Sequence, residues 1–97
     1  MDDRAVTRHV LAEGFVQGVG YREFTRRSAL RLNISGWVRN RSDGTVEALL
    51  RGAAGDVEAI LAAMREGPRG ARVNNLRIVD PEAGDVEGSA FEVRKTV

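Results

Sequence analysis

The chain of 97 residues contains no cysteine and a single histidine, His9. Without cysteine it can form no disulfide, no thiol nucleophile and no thiolate metal site. A zinc or iron site would need ligands that this sequence does not possess in any recognisable spacing. We therefore expect chemistry without a metal ion, and we expect His9 to be packed or solvated rather than catalytic.

Long apolar runs are also missing. No stretch approaches the roughly 20 consecutive apolar residues that a membrane-spanning helix needs. The N-terminus, Met1 to Arg4, has no apolar signal core. We expect no membrane association and a cytoplasmic location.

The chain lacks a strong excess of one charge. Lys and Arg together number 15 and Asp and Glu 14, so the formal net charge is +1. This balance argues against a general attraction to nucleic acid. The aromatic residues are one Trp, one Tyr and three Phe, and none falls in an RNP-like run, so an RNA-binding domain is the weaker alternative.

What is present is the composition of an ordinary globular protein, with 42% hydrophobic and 30% charged residues. A chain of 97 residues is long enough for one domain with one modest core. We expect a single domain over residues 1–97, and a monomer is the simplest expectation at this size.

The first part of the chain has the periodicity of a strand followed by a helix. Residues 6–15 alternate loosely, as expected of a central strand that is partly buried on both faces. From Tyr21, apolar or small residues recur at helical spacing, while arginines occupy the opposite face. Asn33 suits a left-handed cap at the end of this helix.

A hairpin follows. Residues 34–41 and 45–50 alternate as strands, and residues 42–44, Ser-Asp-Gly, form a strong turn signal between them. In the first of these strands, a period of two places Asn40 on one face and Trp37 on the other. A lone tryptophan at this position is expected to pack rather than to stack on a ligand.

A second helix and two further strands complete the pattern. Asp56 can cap the helix, and Gly67-Pro68 ends it. A strand follows around residues 73–78, then an acidic loop over residues 81–88 and a short strand at residues 91–93. The apolar positions of the helix are Val57, Ile60, Leu61 and Met64.

The order β-α-β-β-α-β plus a short final strand predicts an α+β fold of the ferredoxin-like type. Each helix has one apolar stripe to bury, so the two helices should pack on one face of an antiparallel-type sheet. This two-layer sandwich serves regulators, RNA binders and enzymes alike, so the fold by itself does not predict an activity.

A glycine-rich turn between the first strand and the first helix has the features of an anion-binding loop. The first amides of a helix lack intrahelical acceptors, and the helix dipole attracts negative charge there. Glycine can adopt positive φ, which lets successive amides converge on one anion. An arginine in the first turn can add a two-pronged contact to phosphate oxygens. The predicted binding residues are Gln17, Gly18, Val19, Gly20, Tyr21 and Arg22.

Several separated segments closely resemble the signatures of the acylphosphatase family. They are residues 16–22 (Val-Gln-Gly-Val-Gly-Tyr-Arg), residues 36–40 (Gly-Trp-Val-Arg-Asn) and residues 43–47 (Asp-Gly-Thr-Val-Glu). Residues 67–73 and 91–94 also look like that family's C-terminal half. The resemblance covers nearly the whole chain.

The resemblance implies a small enzyme that hydrolyses the carboxyl–phosphate bond of acyl phosphates to a carboxylate and inorganic phosphate, with no metal ion or organic cofactor. It implies that the loop amides and Arg22 hold the phosphoryl group and that Asn40 positions the attacking water. An amide cannot act as a base at neutral pH, so Asn40 would orient water. We do not expect His9 or Glu23 to be the general base, and a substrate phosphate oxygen can serve instead.

Two questions stay open at the level of sequence. Acetyl phosphate, carbamoyl phosphate and 1,3-bisphosphoglycerate present the same mixed anhydride, and the motifs do not distinguish between them. A non-catalytic module that binds a small anion or docks a partner would also keep such a loop, and hydrolysis of benzoyl phosphate separates the two possibilities.

Overall fold

In a computed structural model that describes residues 4–79 and 88–97, these residues form five strands and two helices. The predicted ferredoxin-like order is confirmed, and of the predicted acidic loop only Gly88 lies within the described residues. The elements are β1 (Ala5–Phe15), α1 (Tyr21–Arg31), β2 (Ser35–Asn40), β3 (Val46–Ala53), α2 (Ala54–Glu66), β4 (Arg72–Val79) and β5 (Phe91–Val93).

The strands form one sheet in the order β4-β1-β3-β2-β5. Strand β3 is antiparallel to both β1 and β2, and β4 is antiparallel to β1, while β5 adds to the edge parallel to β2. Because β1 and β2 are both antiparallel to β3, they run in the same direction. The residues that follow β1 and the last residue of β2 therefore lie at the same end of the sheet.

The core lies between one face of the sheet and the two helices. Val10 of β1 and Val38 of β2 both pair with Ala48 of β3, and all three residues are fully buried. Burying a large aliphatic side chain contributes about 2 kcal/mol each to stability, so this shared cluster holds the two layers together. The helix residues in the cluster are Tyr21, Ala29, Val57, Ile60, Leu61 and Met64, which confirms the predicted apolar stripe of α2.

The helix ends agree with the sequence patterns except at the start of α2. Asn33 has φ 57, the predicted left-handed conformation, and Gly67 follows the last residue of α2. The prediction that Asp56 caps α2 is wrong, because the helix begins at Ala54 with Ala53 as N-cap. Strand β3 continues directly into α2, so Asp56 lies in the first turn, where its carboxylate interacts favourably with the helix dipole. In the part of the chain that the structure describes, no helix is long and apolar enough to cross a bilayer.

The sheet face opposite the helices is covered at its centre by Trp37, which is 6% exposed. The guanidinium carbons of Arg39 and Arg94 lie 4.6 and 5.0 Å from its ring centroid, within cation–π range. The His9 ring meets the indole edge-on at 6.3 Å. Trp37 therefore has the packing role that the sequence predicts.

Glu47 connects the polar residues on this open face of the sheet. Its Oε1 accepts a hydrogen bond of 2.7 Å from Arg39 Nε, and its Oε2 lies 2.7 Å from His9 Nε2. Burial raises the pKa of Glu47, but the hydrogen bonds from Arg39 and His9 outweigh burial and hold this pKa below its ordinary value of 4.5. The ionised carboxylate is therefore the form that stabilises the fold.

We predict that Glu47→Gln lowers the free energy of unfolding by about 2 kcal/mol near neutral pH, the usual worth of hydrogen bonds to a charged group. The pKa of Glu47 is lower in the folded protein than its ordinary value of 4.5, which applies to the unfolded chain. The ionised carboxylate therefore contributes its full stabilisation above pH 4.5 and loses it as the pH falls through the pKa of the folded state. In urea unfolding at a series of pH values, the difference in free energy of unfolding between Glu47→Gln and wild type should shrink as the pH falls below the pKa of Glu47 in the folded protein.

The matched control is Glu92→Gln, because Glu92 lies on the same sheet face but pairs with Arg94 at 3.3 Å in an exposed position. Surface pairs of this kind contribute little, so its unfolding curve should coincide with that of the wild type at every pH. A Glu47→Gln deficit that is the same at all pH values would contradict the proposed charge effect.

Candidate active site

At the end of the sheet where β1 and β2 both terminate, two predicted parts of the site lie together: the loop after β1 and Asn40. Val46, the first residue of β3, pairs with Ala12 of β1 on one side and with Asn40 of β2 on the other. Since β1 and β2 run in the same direction, the loop after β1 and the side chain of Asn40 lie at the same end. Topology thus places the predicted anion-binding loop and Asn40 next to each other.

The loop after β1 depends on two glycines with positive φ. Gly18 has φ 75 and Gly20, the N-cap of α1, has φ 77. A Cβ added at either position would meet nothing within 4 Å, so it is the backbone conformation rather than lack of space that requires glycine. This confirms the positive φ predicted for both residues.

The first amides of α1 are free of helical hydrogen bonds. Phe24 N donates to Gly20 O at 2.9 Å, so the amides that precede Phe24 have no acceptor inside the helix. They sit at the positive end of the helix dipole. The tip of α1 therefore presents several donors toward one place, as an anion requires.

Arg22 has an unusual environment among the arginines. It is half-buried, yet within residues 4–79 and 88–97 it has no hydrogen-bond or ion-pair partner. Its guanidinium is therefore available to an anion from outside the chain. The other half-buried arginines of the described ranges each have a hydrogen-bond acceptor or an ion-pair partner: Arg8, Arg26, Arg39, Arg41 and Arg51.

Arg22 and Asn40 line one cavity of about 280 Å³. Asn40 Oδ1 is buried, and no described atom hydrogen-bonds to it. A buried acceptor without a partner costs about 1–3 kcal/mol, so a bound water or ligand that donates to it is favoured. The remaining residues of the cavity wall are Val16, Gly18, Gly20, Tyr21, Glu23 and Val93.

Three of the predicted binding residues have side chains engaged elsewhere. The Tyr21 hydroxyl donates to Met64 O at 2.7 Å inside the core, and burial raises the pKa of this phenol well above its usual range. Val19 packs against the core cluster. Gln17 Nε2 hydrogen-bonds to the turn after β2. Tyr21 lines the cavity and Gln17 and Val19 do not, so any contact of these residues with an anion would come from backbone amides and not from side chains.

The structure adds three residues to the cavity that the sequence did not predict as binding residues: Val16, Glu23 and Val93. Val93, which is 44% exposed, comes from the last strand and reaches the site only because β5 pairs with β2. Glu23 follows Arg22 in the chain. No local pattern indicates the position of Val93, because it depends on a pairing between distant segments.

Glu23 is an ionised carboxylate in the cavity wall. The hydrogen bonds from Arg26 lower the pKa of Glu23, and its attraction to Arg27 adds to the shift. A carboxylate with a lowered pKa is a weaker base, which argues against Glu23 as the proton acceptor. His9 lies on the opposite face of the sheet, bonded to Glu47. Among the residues that the structure describes, no group of three His, Cys, Asp or Glu could hold a metal ion.

Known proteins that resemble this chain include bacterial acylphosphatases. The acylphosphatase family model matches residues 8–93. An acylphosphatase of Acidovorax sp. (strain JS42) is 48% identical over 93 residues, which are 96% of this chain and 94% of the relative. The crystal structure of acylphosphatase from Bacillus subtilis has a TM-score of 0.82 at 29% identity and covers 94% of this chain and 99% of its own. An acylphosphatase structure from Coxiella burnetii has a TM-score of 0.82 at 37% identity and covers 93% of both chains.

Proposed function

The chain belongs to the acylphosphatase family and is an acylphosphatase, and from this premise we propose how its cavity hydrolyses an acyl phosphate. The reaction converts an acyl phosphate dianion and water into a carboxylate and H₂PO₄⁻. The observation that carries the proposal is that Arg22 and Asn40 line the same cavity. The alternative of a non-catalytic anion-binding module is not favoured by relatives that are acylphosphatases.

The phosphoryl group binds to the loop amides and to Arg22. Residues from Gln17 to Arg22 supply the backbone donors, with Gly18 and Gly20 providing the left-handed turns that this requires. The guanidinium of Arg22, which has no partner within the described ranges, bonds two phosphoryl oxygens at once. Negatively charged substrate oxygens thus accept hydrogen bonds from donors that have no acceptor in the part of the chain that the structure describes.

These same donors lower the barrier to hydrolysis. A carboxylate is a good leaving group, so the transition state is loose, and charge spreads over the equatorial phosphoryl oxygens. Donors that are already in place stabilise this charge without reorganising, and one such donor is typically worth about 3 kcal/mol. No metal ion or organic cofactor is required for this step.

Asn40 holds the attacking water. The free Oδ1 of Asn40 accepts a hydrogen bond from the water, which directs a lone pair of the water oxygen at phosphorus. As the P–O bond to the acyl group breaks, the proton of the water moves to a phosphoryl oxygen, which acts as the base. The electron pair of the broken bond leaves with the carboxylate.

We further propose that residues 1–97 act as one domain, as a monomer, and in the cytoplasm. The family match over residues 8–93 and the hydrophobic cluster shared by sheet and helices support a single domain. The small size of the chain supports a monomer.

Purified protein should hydrolyse benzoyl phosphate at the same rate with and without a chelator, because protein donors alone stabilise the transition state. Release of benzoate is followed by ultraviolet absorbance. Rates that collapse after chelation and recover with added metal would contradict the metal-free mechanism.

Arg22→Ala should lower kcat/KM by roughly 1,000-fold or more and weaken inhibition by inorganic phosphate, since it removes a contact to both the ground state and the transition state. Arg22→Lys should also be strongly impaired, because an ammonium group cannot form the bidentate contact that a guanidinium makes with two phosphoryl oxygens. The control is Arg31→Lys, at an exposed position in the last turn of the same helix. Comparable phosphate inhibition in Arg22→Ala and wild type would refute this role.

Asn40→Ala should lower kcat by roughly 100-fold or more while leaving inhibition by phosphate nearly unchanged, because the amide touches the water and not the bound anion. Asn74→Ala, at an exposed position on β4, is the control. Steady-state kinetics with phosphate as inhibitor separates the two quantities. Near-normal turnover of Asn40→Ala would exclude the water-positioning role.

A further inference from the structure

The side chain of Gln17 forms a cross-link between two separate segments of the site. Its Nε2 donates to Arg41 O at 2.8 Å and to Thr45 O at 2.9 Å. Both N–H bonds of the amide are thus used, and the side chain is partly buried. A glutamine fixed in this way connects the first residue of the phosphate-binding loop to the β2–β3 turn.

The β2–β3 turn, to which the Gln17 side chain hydrogen-bonds, follows Asn40 directly and is held by its own hydrogen bonds. Arg41 N donates to Thr45 O at 2.9 Å, and Gly44 N donates to Arg41 O at 3.1 Å. Thr45 N and Oγ1 both donate to Asp43 Oδ1, at 3.0 and 2.6 Å. Because these hydrogen bonds fix the conformation of the turn, a displacement of the turn would also displace Asn40, which precedes it in the chain.

We propose that Gln17 is a positioning residue whose carboxamide sets the distance and angle between the phosphate-binding loop and Asn40. The proposal rests on the phosphate and water roles proposed above for the loop and for Asn40. The backbone amide of Gln17 stays available to the phosphoryl group, while its side chain holds the turn so that the water meets phosphorus in line.

The cross-link should affect turnover more than phosphate binding. Arg22 and the amides of the first helical turn belong to α1, which begins at Tyr21, so we expect them to keep their arrangement when the Gln17 side chain is changed. Asn40 would lose one side of its support, although its carbonyl still accepts from Val97 N at 3.2 Å. A displacement of about 1 Å in a reacting group can cost roughly 100-fold in rate.

The test compares Gln17→Glu with Gln17→Leu at two pH values. Near neutral pH the glutamate is ionised, has no donor and faces two carbonyl oxygens, so kcat should fall by roughly 100-fold. Those oxygens raise the pKa of the new carboxyl, and at about pH 5 its protonated form can donate one hydrogen bond. The ratio of variant to wild-type kcat should then rise about tenfold, the effect of one restored hydrogen bond.

Gln17→Leu has no donor at any pH, so its deficit in kcat should be the same under both conditions. Asn74→Glu adds the same charge at an exposed position of β4 and serves as the charge control, with kcat near that of the wild type. Inhibition by inorganic phosphate should stay within about twofold of wild type in Gln17→Leu, since its loop donors are intact.

Several results would overturn the proposal. They are normal kcat in Gln17→Leu, a Gln17→Glu deficit that does not shrink at low pH, or a loss of phosphate inhibition in Gln17→Leu as large as the loss of kcat. Circular dichroism of each variant completes the test, because activity that merely tracks the folded fraction would show a structural role only. Normal turnover in Asn40→Ala would instead show that the proposed water-positioning mechanism is wrong, which is a different result from a failure of the Gln17 proposal alone.

Discussion

The backbone amides at the start of α1, which have no acceptor inside the helix, are the constraint on which the proposed site depends. Unpaired donors are costly when they are buried, so a protein keeps them only where water or a ligand can reach them. Gly18 and Gly20 let the chain turn with positive φ and bring these donors around one cavity. A tetrahedral anion with three free oxygens can accept from several of them at once, which a single water cannot do.

The sheet topology places this local feature within the catalytic arrangement that we propose. A strand inserted between β1 and β2 makes the two run in the same direction, so the loop after β1 and the last residue of β2 share one end of the sheet. Asn40 thus approaches the loop from a rigid strand rather than from a mobile segment. Precision of this kind matters because a small error in the position of water greatly lowers its rate of attack.

Much of the fold and part of the site follow from local patterns in the sequence. The spacing of apolar residues predicts both helices, and the positive φ of Asn33 and the two loop glycines follows from residue type. The α2 start could not be predicted from Asp56, because a strand that continues into a helix leaves no separate capping residue. The Gln17 side chain contacts a turn that is distant in sequence, and Val93 comes from the last strand of the sheet. Local periodicity in the sequence cannot predict contacts between segments that lie so far apart along the chain.

The distribution of charge around the cavity decides whether Arg22 can bind an anion. Glu23 is the next residue in the chain and lines the same cavity, so it could compete with a phosphoryl group for the guanidinium of Arg22. Its carboxylate is instead held by Arg26 and Arg27, further along the same helix. These exposed pairs add little to stability, but they offset a negative charge that would otherwise repel the substrate. Glu23 is paired away from the cavity, and Arg22 has no partner among the residues that the structure describes. These are therefore two aspects of one electrostatic arrangement.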